Sequence, residues 1–229
     1  MKPEFDPPDA AALSAVPYFA SLDEATRQAI ARSAIPRAID AGQIVFLEAA
    51  PSAGLGVVAA GWLKAIKLSP DGREHILDLL GPGDVFNAIG VFAGATNPAT
   101  VIALEPARVW VFPRPFLVGL LATHPALAQA VIEDLAGRVL HLITMVEDLS
   151  LRTVEARLAR LLLAHTASDS LPRQRWATQA EMAARLGTVP DVINRALRTL
   201  SQEGLIRVER QRIHILDRAG LRNKTKSAF

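Results

Sequence analysis

The chain has 229 residues and no cysteine. That absence excludes disulfides, thiolate zinc sites and a cysteine-held iron–sulfur cluster. Aromatic residues are scarce at 5%, with a single tyrosine. Apolar runs are short, as at Val57–Ala60 and Leu161–Ala164, against the ~20 residues a membrane span needs. The first residues, MKPEFDPPDAA, are acidic and proline-rich and lack the apolar stretch of a signal peptide. The expectation is a cytoplasmic protein with no membrane partner. Histidine is thin where an enzyme on a β-roll would need it. Residues 35–115 hold only His75, and no H-x-H pair, serine elbow, P-loop or GxGxxG occurs. An enzyme is therefore not expected.

What is present is apolar material, 50% AVILMFWYC, and a lopsided charge. Up to Pro172 there are 13 Lys+Arg against 18 Asp+Glu, a net −5; from Arg173 onward there are 12 against 5, a net +7. An acidic body with a basic C-terminal part suggests an anionic partner for that part. The tail residues Arg222, Lys224 and Lys226 supply only a minority of the excess.

The stretch TQAEMAARLGTVPDVINRALRTLSQEG, Thr178–Gly204, shows why. Met182, Ala183 and Leu186 recur at helical spacing, and Gly187 follows where a helix commonly ends at positive φ. Thr188 and Asp191 form a T-x-x-D pattern close to a capping box, with Pro190 in the first turn of a new helix. Ile193, Ala196, Leu197 and Leu200 then give that helix a buried face. The pattern predicts helix, tight turn, helix, with the N-terminal residues of the second helix entering a DNA major groove. Arg can bind guanine bidentately, Asp can accept from cytosine and Asn can read adenine. The following LIRVERQRIHILD predicts a two-stranded wing. The expected DNA-binding set is Thr178, Gln179, Thr188, Asp191, Asn194, Arg195, Arg198 and Arg210, with Asp191, Asn194 and Arg195 as base readers.

The body, residues 35–115, reads as short strands between turns: AGQIVF, GWLKAIKL, SPDG, REHILDLL, GPGDVF and ARVWVF. That argues for an antiparallel barrel or roll. Ser21–Glu24 reads as a capping box opening a helix to about Ala34. A long helix is expected from about His124 to Leu149, with Ala128, Leu135, Leu142 and Leu149 in one heptad position. Val131, Arg138 and Met145 fall three residues on from these. The expected dimer interface is Val131, Leu135, Arg138, Leu142, Met145 and Leu149. The adjacent stripe Ile132, Val139, Val146 is also apolar, so two faces of the helix are expected to be covered. The fold class is α+β: an antiparallel β-roll over 1–122, which the resemblance named below makes effector-sensing, a dimerisation helix over 123–150 and a winged helix-turn-helix over 151–229.

In the order and spacing of these motifs, with TVEARLARLLL between the long helix and the helix-turn-helix, the chain resembles the Crp/Fnr family of transcription regulators from about Ser21 to Asp217. The resemblance implies a cyclic-nucleotide-binding-like roll and a homodimer that binds a palindromic operator on double-stranded DNA. It also implies RNA polymerase as a partner and an effector that shifts the dimer toward a DNA-ready geometry. The sequence departs from the cyclic-AMP-binding pattern. Ala88 stands where those members place the ribose-binding Glu, and Pro98-Ala99 where they place Arg-Ser. Leu142-Ile143 stands where they place Thr-Ser. A cyclic phosphate would lack its charge-assisted partners, which argues against cyclic AMP. The effector pocket is expected at Phe86, Asn87, Ala88, Ile89 and Leu142. FNAIGVFAGATNPAT looks more like the nitrogen-oxide-responding, haem-associated branch, where His75, His124, His141 and His165 would be the available axial ligands. The alternatives are a haem-based nitric oxide or redox sensor and a constitutive DNA-binding dimer with a ligandless roll. The family's frequent S-R-E-T-V-x-R reads Val189-Pro190-Asp191-Val192-Ile193-Asn194-Arg195 here, so the reader differs too.

Overall fold

Turn chemistry punctuates the first half of the chain into short strands. In the computed structural model, which describes residues 6–165, 170–172, 178–209 and 212–226, α1 (Ala10–Ser14) and α2 (Glu24–Ser33) precede β1 (Ile35–Ile39), β2 (Ile44–Phe46) and β3 (Leu55–Ala60). Then come β4 (Leu63–Leu68), β5 (Glu74–Leu80), β6 (Val85–Phe86), α3 (Ala88–Phe92), β7 (Thr100–Ala103) and β8 (Ala107–Phe112). Helices α4 (Arg114–Leu121), α5 (Pro125–Leu151) and α6 (Val154–His165) lead to β9 (Ser170–Pro172), α7 (Gln179–Arg185) and α8 (Pro190–Gln202). The chain closes with β10 (Ile206–Val208), β11 (Arg212–Ile215) and α9 (Arg218–Lys224). Helix α2 starts later than the sequence predicts. Its cap is Asp23, whose carboxylate accepts from the Thr26 amide at 2.8 Å, rather than Ser21.

Contacts divide the chain into two units, one holding the chain up to Lys67 with Leu77–Val139, the other Leu68–Ile76 with the chain from Leu140. In the first, the strands form two antiparallel four-stranded sheets, β1-β8-β3-β6 and β2-β7-β4-β5. Strand alternation decides which side chains meet. Val109 and Val111 of β8 face a core shared with Val45, Phe46, Leu63, Phe86 and Val101, between the sheets. Phe112 turns the other way, into a second core with Phe19, Ile30, Leu55, Leu117, Leu127 and Val131. The first sheet is thus covered on both faces, by the second sheet and by helices.

The long helix has two different apolar faces. Val131 is 5% exposed in the helical core, and Leu135 packs against the same core. Arg138 donates through Nε to Asp134 and through Nη2 to the Val85 carbonyl, each at 2.8 Å, and Asp134 also accepts the Tyr18 hydroxyl at 2.5 Å. Burial lowers the affinity of the Arg138 guanidinium for its proton, but the hydrogen bond and charge of Asp134 hold its pKa above the ordinary value. Val131, Leu135 and Arg138 thus pack and pair within the first unit. The adjacent stripe is the more exposed: Ile132, Val139, Ile143 and Val146 are 66%, 56%, 59% and 62% exposed, against 45% and 38% for Leu142 and Leu149 of the expected interface.

The second unit is built on a core of Leu158, Ala159 and Leu162 from α6, Met182 and Ala183 from α7, Ile193, Ala196, Leu197 and Leu200 from α8, and Ile206, Ile213 and Leu221. Strands β10 and β11 pair antiparallel, Ile206 with Ile215, and β11 also pairs with β9. Among the described residues no single helix is long and apolar enough to cross a membrane.

Candidate nucleic-acid interface

The turn between α7 and α8 follows from local chemistry. Thr178 caps α7, its hydroxyl accepting from the Glu181 amide at 3.2 Å. Gly187 takes φ +61, a conformation that costs most other residues 1–2 kcal/mol or so. A Cβ there would stand 2.9 Å from the Leu149 side chain. Leu149 is thus engaged within its own unit. The Thr188 amide donates back to the Ala183 carbonyl at 2.9 Å. The expected cap at Thr188 does not form. Val189 is the N-cap, with φ −115 and ψ 154 and no side-chain bond, because Pro190 occupies the first helical position and forces the residue before it into extended backbone.

The turn is braced from α6. Arg157, 7% exposed, donates through Nη1 to the carbonyl of Leu186. Burial holds its pKa below the ordinary value, and the charge of Asp148 offsets only part of that. Arg152 donates to the Thr225 carbonyl at 2.5 Å and pairs with Asp148 at 2.8 Å, tying α9 to the end of α5. These anchors have no motif of their own in the sequence beyond TVEARLAR.

On the outer face, Asp191, Arg195 and Arg198 of α8 are exposed and Asn194 is half-buried. Arg195 and Arg198 make no ion pair among the described residues. Arg207 and Arg212 project from the wing strands, both exposed. Thr178 is exposed, while Gln179 and Thr188 are half-buried. Arg210 lies outside the described residues. The arrangement presents cations and two short polar side chains on one helix, of the size and spacing that read base edges in a major groove.

Within the first unit, the residues expected at the effector pocket fall in different surroundings. Phe86, 2% exposed, lies between the sheets with its ring 5.3 Å from that of Phe46, and a Cβ at Gly56 would run into it. Ala88 is buried in the other, helical core. Ile89 is 45% exposed and Leu142, in the second unit, also 45%. Asn87 bridges the loop at φ +64, donating to Ser52 Oγ and the Gly54 carbonyl, both at 2.9 Å. Asn97, 3% exposed, locks the approach to Pro98 by donating to the Leu47 carbonyl at 2.9 Å, and its backbone pairs with Ala49 and Ala50 at 3.0 Å. Among the described residues, no group of three His, Cys, Asp or Glu could hold a metal ion. Both ring nitrogens of His124 meet threonine hydroxyls, at 3.1 and 2.8 Å. His75 lies 3.6 Å from a Cβ placed on Gly187, and His141 is exposed on α5.

Residues 36–124 match the cyclic nucleotide-binding domain and residues 156–224 the Crp-like helix-turn-helix domain. The chain is similar to the CRP-like cAMP-activated global transcriptional regulator of Mycobacterium tuberculosis, 25% identical over 214 residues, which cover 91% of this chain and 96% of the relative. Among solved structures it is similar to a Crp/Fnr-family transcriptional regulator of Eubacterium rectale, with a TM-score of 0.75, 25% identity, and coverage of 93% and 100%. FixK2 of Bradyrhizobium japonicum shares the fold, with a TM-score of 0.74 at 22% identity over 86% of this chain and 99% of that one.

Proposed function

We propose, for a chain that belongs to the Crp/Fnr family of DNA-binding transcription regulators, that it acts as a homodimer reading a two-fold symmetric operator through α8, under an effector that is not a cyclic nucleotide. The observation that carries the DNA reading is the outer face of α8, where Asp191, Arg195 and Arg198 stand exposed on a helix whose other face is fully buried. Two such helices suit half-sites ~34 Å apart. The apolar stripe Ile132, Val139, Ile143 and Val146, spaced at sevens and fours, is the surface for the second copy. RNA polymerase is the partner through which occupancy of the operator becomes control of transcription.

The Mycobacterium tuberculosis relative is cAMP-activated, and this chain differs from that chemistry. Ala88, 2% exposed, offers a methyl group where a ribose would need an acid, and Pro98 offers a ring where a cyclic phosphate would need a cation. A haem-bound nitric oxide sensor is the second reading, favoured by the resemblance of Phe86–Thr100 to that branch. The purified full chain is tested by repeated selection from random duplex DNA, followed by binding with and without cyclic AMP and by an absorption spectrum after growth with a haem precursor. A symmetric enriched sequence, bound equally with and without cyclic AMP, is expected. No enrichment overturns the DNA reading, a cyclic-AMP response overturns the effector reading, and a Soret band that moves with nitric oxide selects the haem sensor. Binding that responds to no effector identifies a constitutive dimer.

A further inference from the structure

We propose that Val189 reads the 5-methyl group of a thymine in each half-site, so that part of the operator preference is apolar rather than hydrogen-bonded. The proposal rests on the DNA-binding reading of α8 given above.

Val189 is a poor choice for its own fold. It is the N-cap of α8 and makes no capping bond. At that position a side-chain oxygen satisfies an amide that the helix leaves unpaired, and valine is among the least favoured residues. Packing does not compensate. Val189 is 38% exposed, whereas Ile193, one turn further on, is 0% exposed in the core. A large apolar side chain that leaves its helix uncapped and stays more than a third exposed breaks a local rule, and such breaks cluster where function is at stake.

Its location says what it could touch. It stands at the leading end of the helix whose first residues meet base edges, two residues before the exposed Asp191. The major groove offers hydrogen-bonding groups on every base pair and one apolar target, the thymine methyl. The side chain is also held ready. Pro190 at the first helical position restricts the backbone of Val189 to extended conformations, and its branched Cβ restricts χ1. A preorganised apolar tip loses little entropy on contact.

The experiment uses the full chain and duplexes enriched by selection from random DNA. Each thymine of one half-site is exchanged singly for deoxyuridine, which lacks only the methyl group. One exchange is expected to weaken wild-type binding about fourfold, the equivalent of one methyl-sized group left unburied. The same exchange should leave Val189→Ser unaffected. Serine is a good N-cap, so this variant should melt at or above the wild-type temperature, which separates lost reading from lost folding. The proposal is overturned if no exchange weakens wild-type binding, or if Val189→Ser stays as sensitive as wild type. Selection that enriches no sequence overturns the DNA reading and this proposal with it. An enriched sequence whose methyl groups are all dispensable overturns this proposal alone.

Discussion

Arg157 of α6 donates its guanidinium to the carbonyl of Leu186, the residue that closes α7 just ahead of the turn glycine. The helix-turn-helix is therefore not a free hairpin; its bend is fixed from a third helix by a buried cation at the carbonyl end of α7, where the helix dipole favours positive charge. Arg157→Met keeps the apolar stem and removes the donor. An unsatisfied buried carbonyl costs about 1–3 kcal/mol, so urea unfolding of the second unit should shift by that amount. An unchanged midpoint would show that the contact contributes nothing to stability.

Arg195 is exposed on α8 and makes no ion pair among the described residues, so its removal should leave folding intact. Arg195→Ala is expected to weaken binding to the selected operator by about 1–3 kcal/mol and to relax preference at one base pair. Repeating the selection with the variant reads both effects. A uniform loss across all sequences would instead mark Arg195 as a phosphate contact.

Much of this reader is legible in the sequence because its determinants are local. Gly187 and Pro190 punctuate the helical pattern, and the buried face of α8 recurs at three and four residues. The cap was less legible: T-x-x-D points to Thr188, but Pro190 dictates that the extended residue is Val189. The anchors on α6 and α9 could not be read at all, since Arg157 and Arg152 find carbonyls 29 and 73 residues away. In α5 the heptad period is visible and its phase is not. Two apolar stripes lie one residue apart, and Tyr18, 116 residues from Asp134, helps decide which one faces the roll. The inward turn of Phe86 is illegible for a similar reason: it depends on the room above Gly56, which strand pairing creates.

Tyr18 is the chain's one tyrosine, so a tyrosinate band near 295 nm can come from this group alone. Burial, then the hydrogen bond to Asp134 and its charge, raise its pKa well above the ordinary 10.0. The protonated phenol is favoured in the fold. Its contribution to stability is complete below pH ~10 and is lost as the pH rises beyond it, where the unfolded chain sheds the proton first. Tyrosinate should therefore appear only together with unfolding in an alkaline titration. In Asp134→Asn, which removes the charge, ionisation should move to lower pH. A reversible tyrosinate step near pH 10 in the folded chain would contradict the network.

The two faces of α5 can be separated by substitution. Ile143 is 59% exposed on the stripe Ile132, Val139, Ile143, Val146, while Leu135 packs against the helical core of the first unit. Ile143→Glu places a charge on the outer stripe and disturbs no packing within the chain. It is expected to convert a dimer to a monomer in sedimentation and to abolish cooperative binding to a two-half-site operator, at unchanged thermal stability per chain. Leu135→Ala should do the reverse. It removes packing against the helical core and, Leu135 being only half-buried, should destabilise the first unit by about 1–2 kcal/mol, while the chains that remain folded still associate. If Ile143→Glu leaves the assembly intact and Leu135→Ala disperses it, the interface lies on the inner stripe after all, and α5 must release the roll in order to pair.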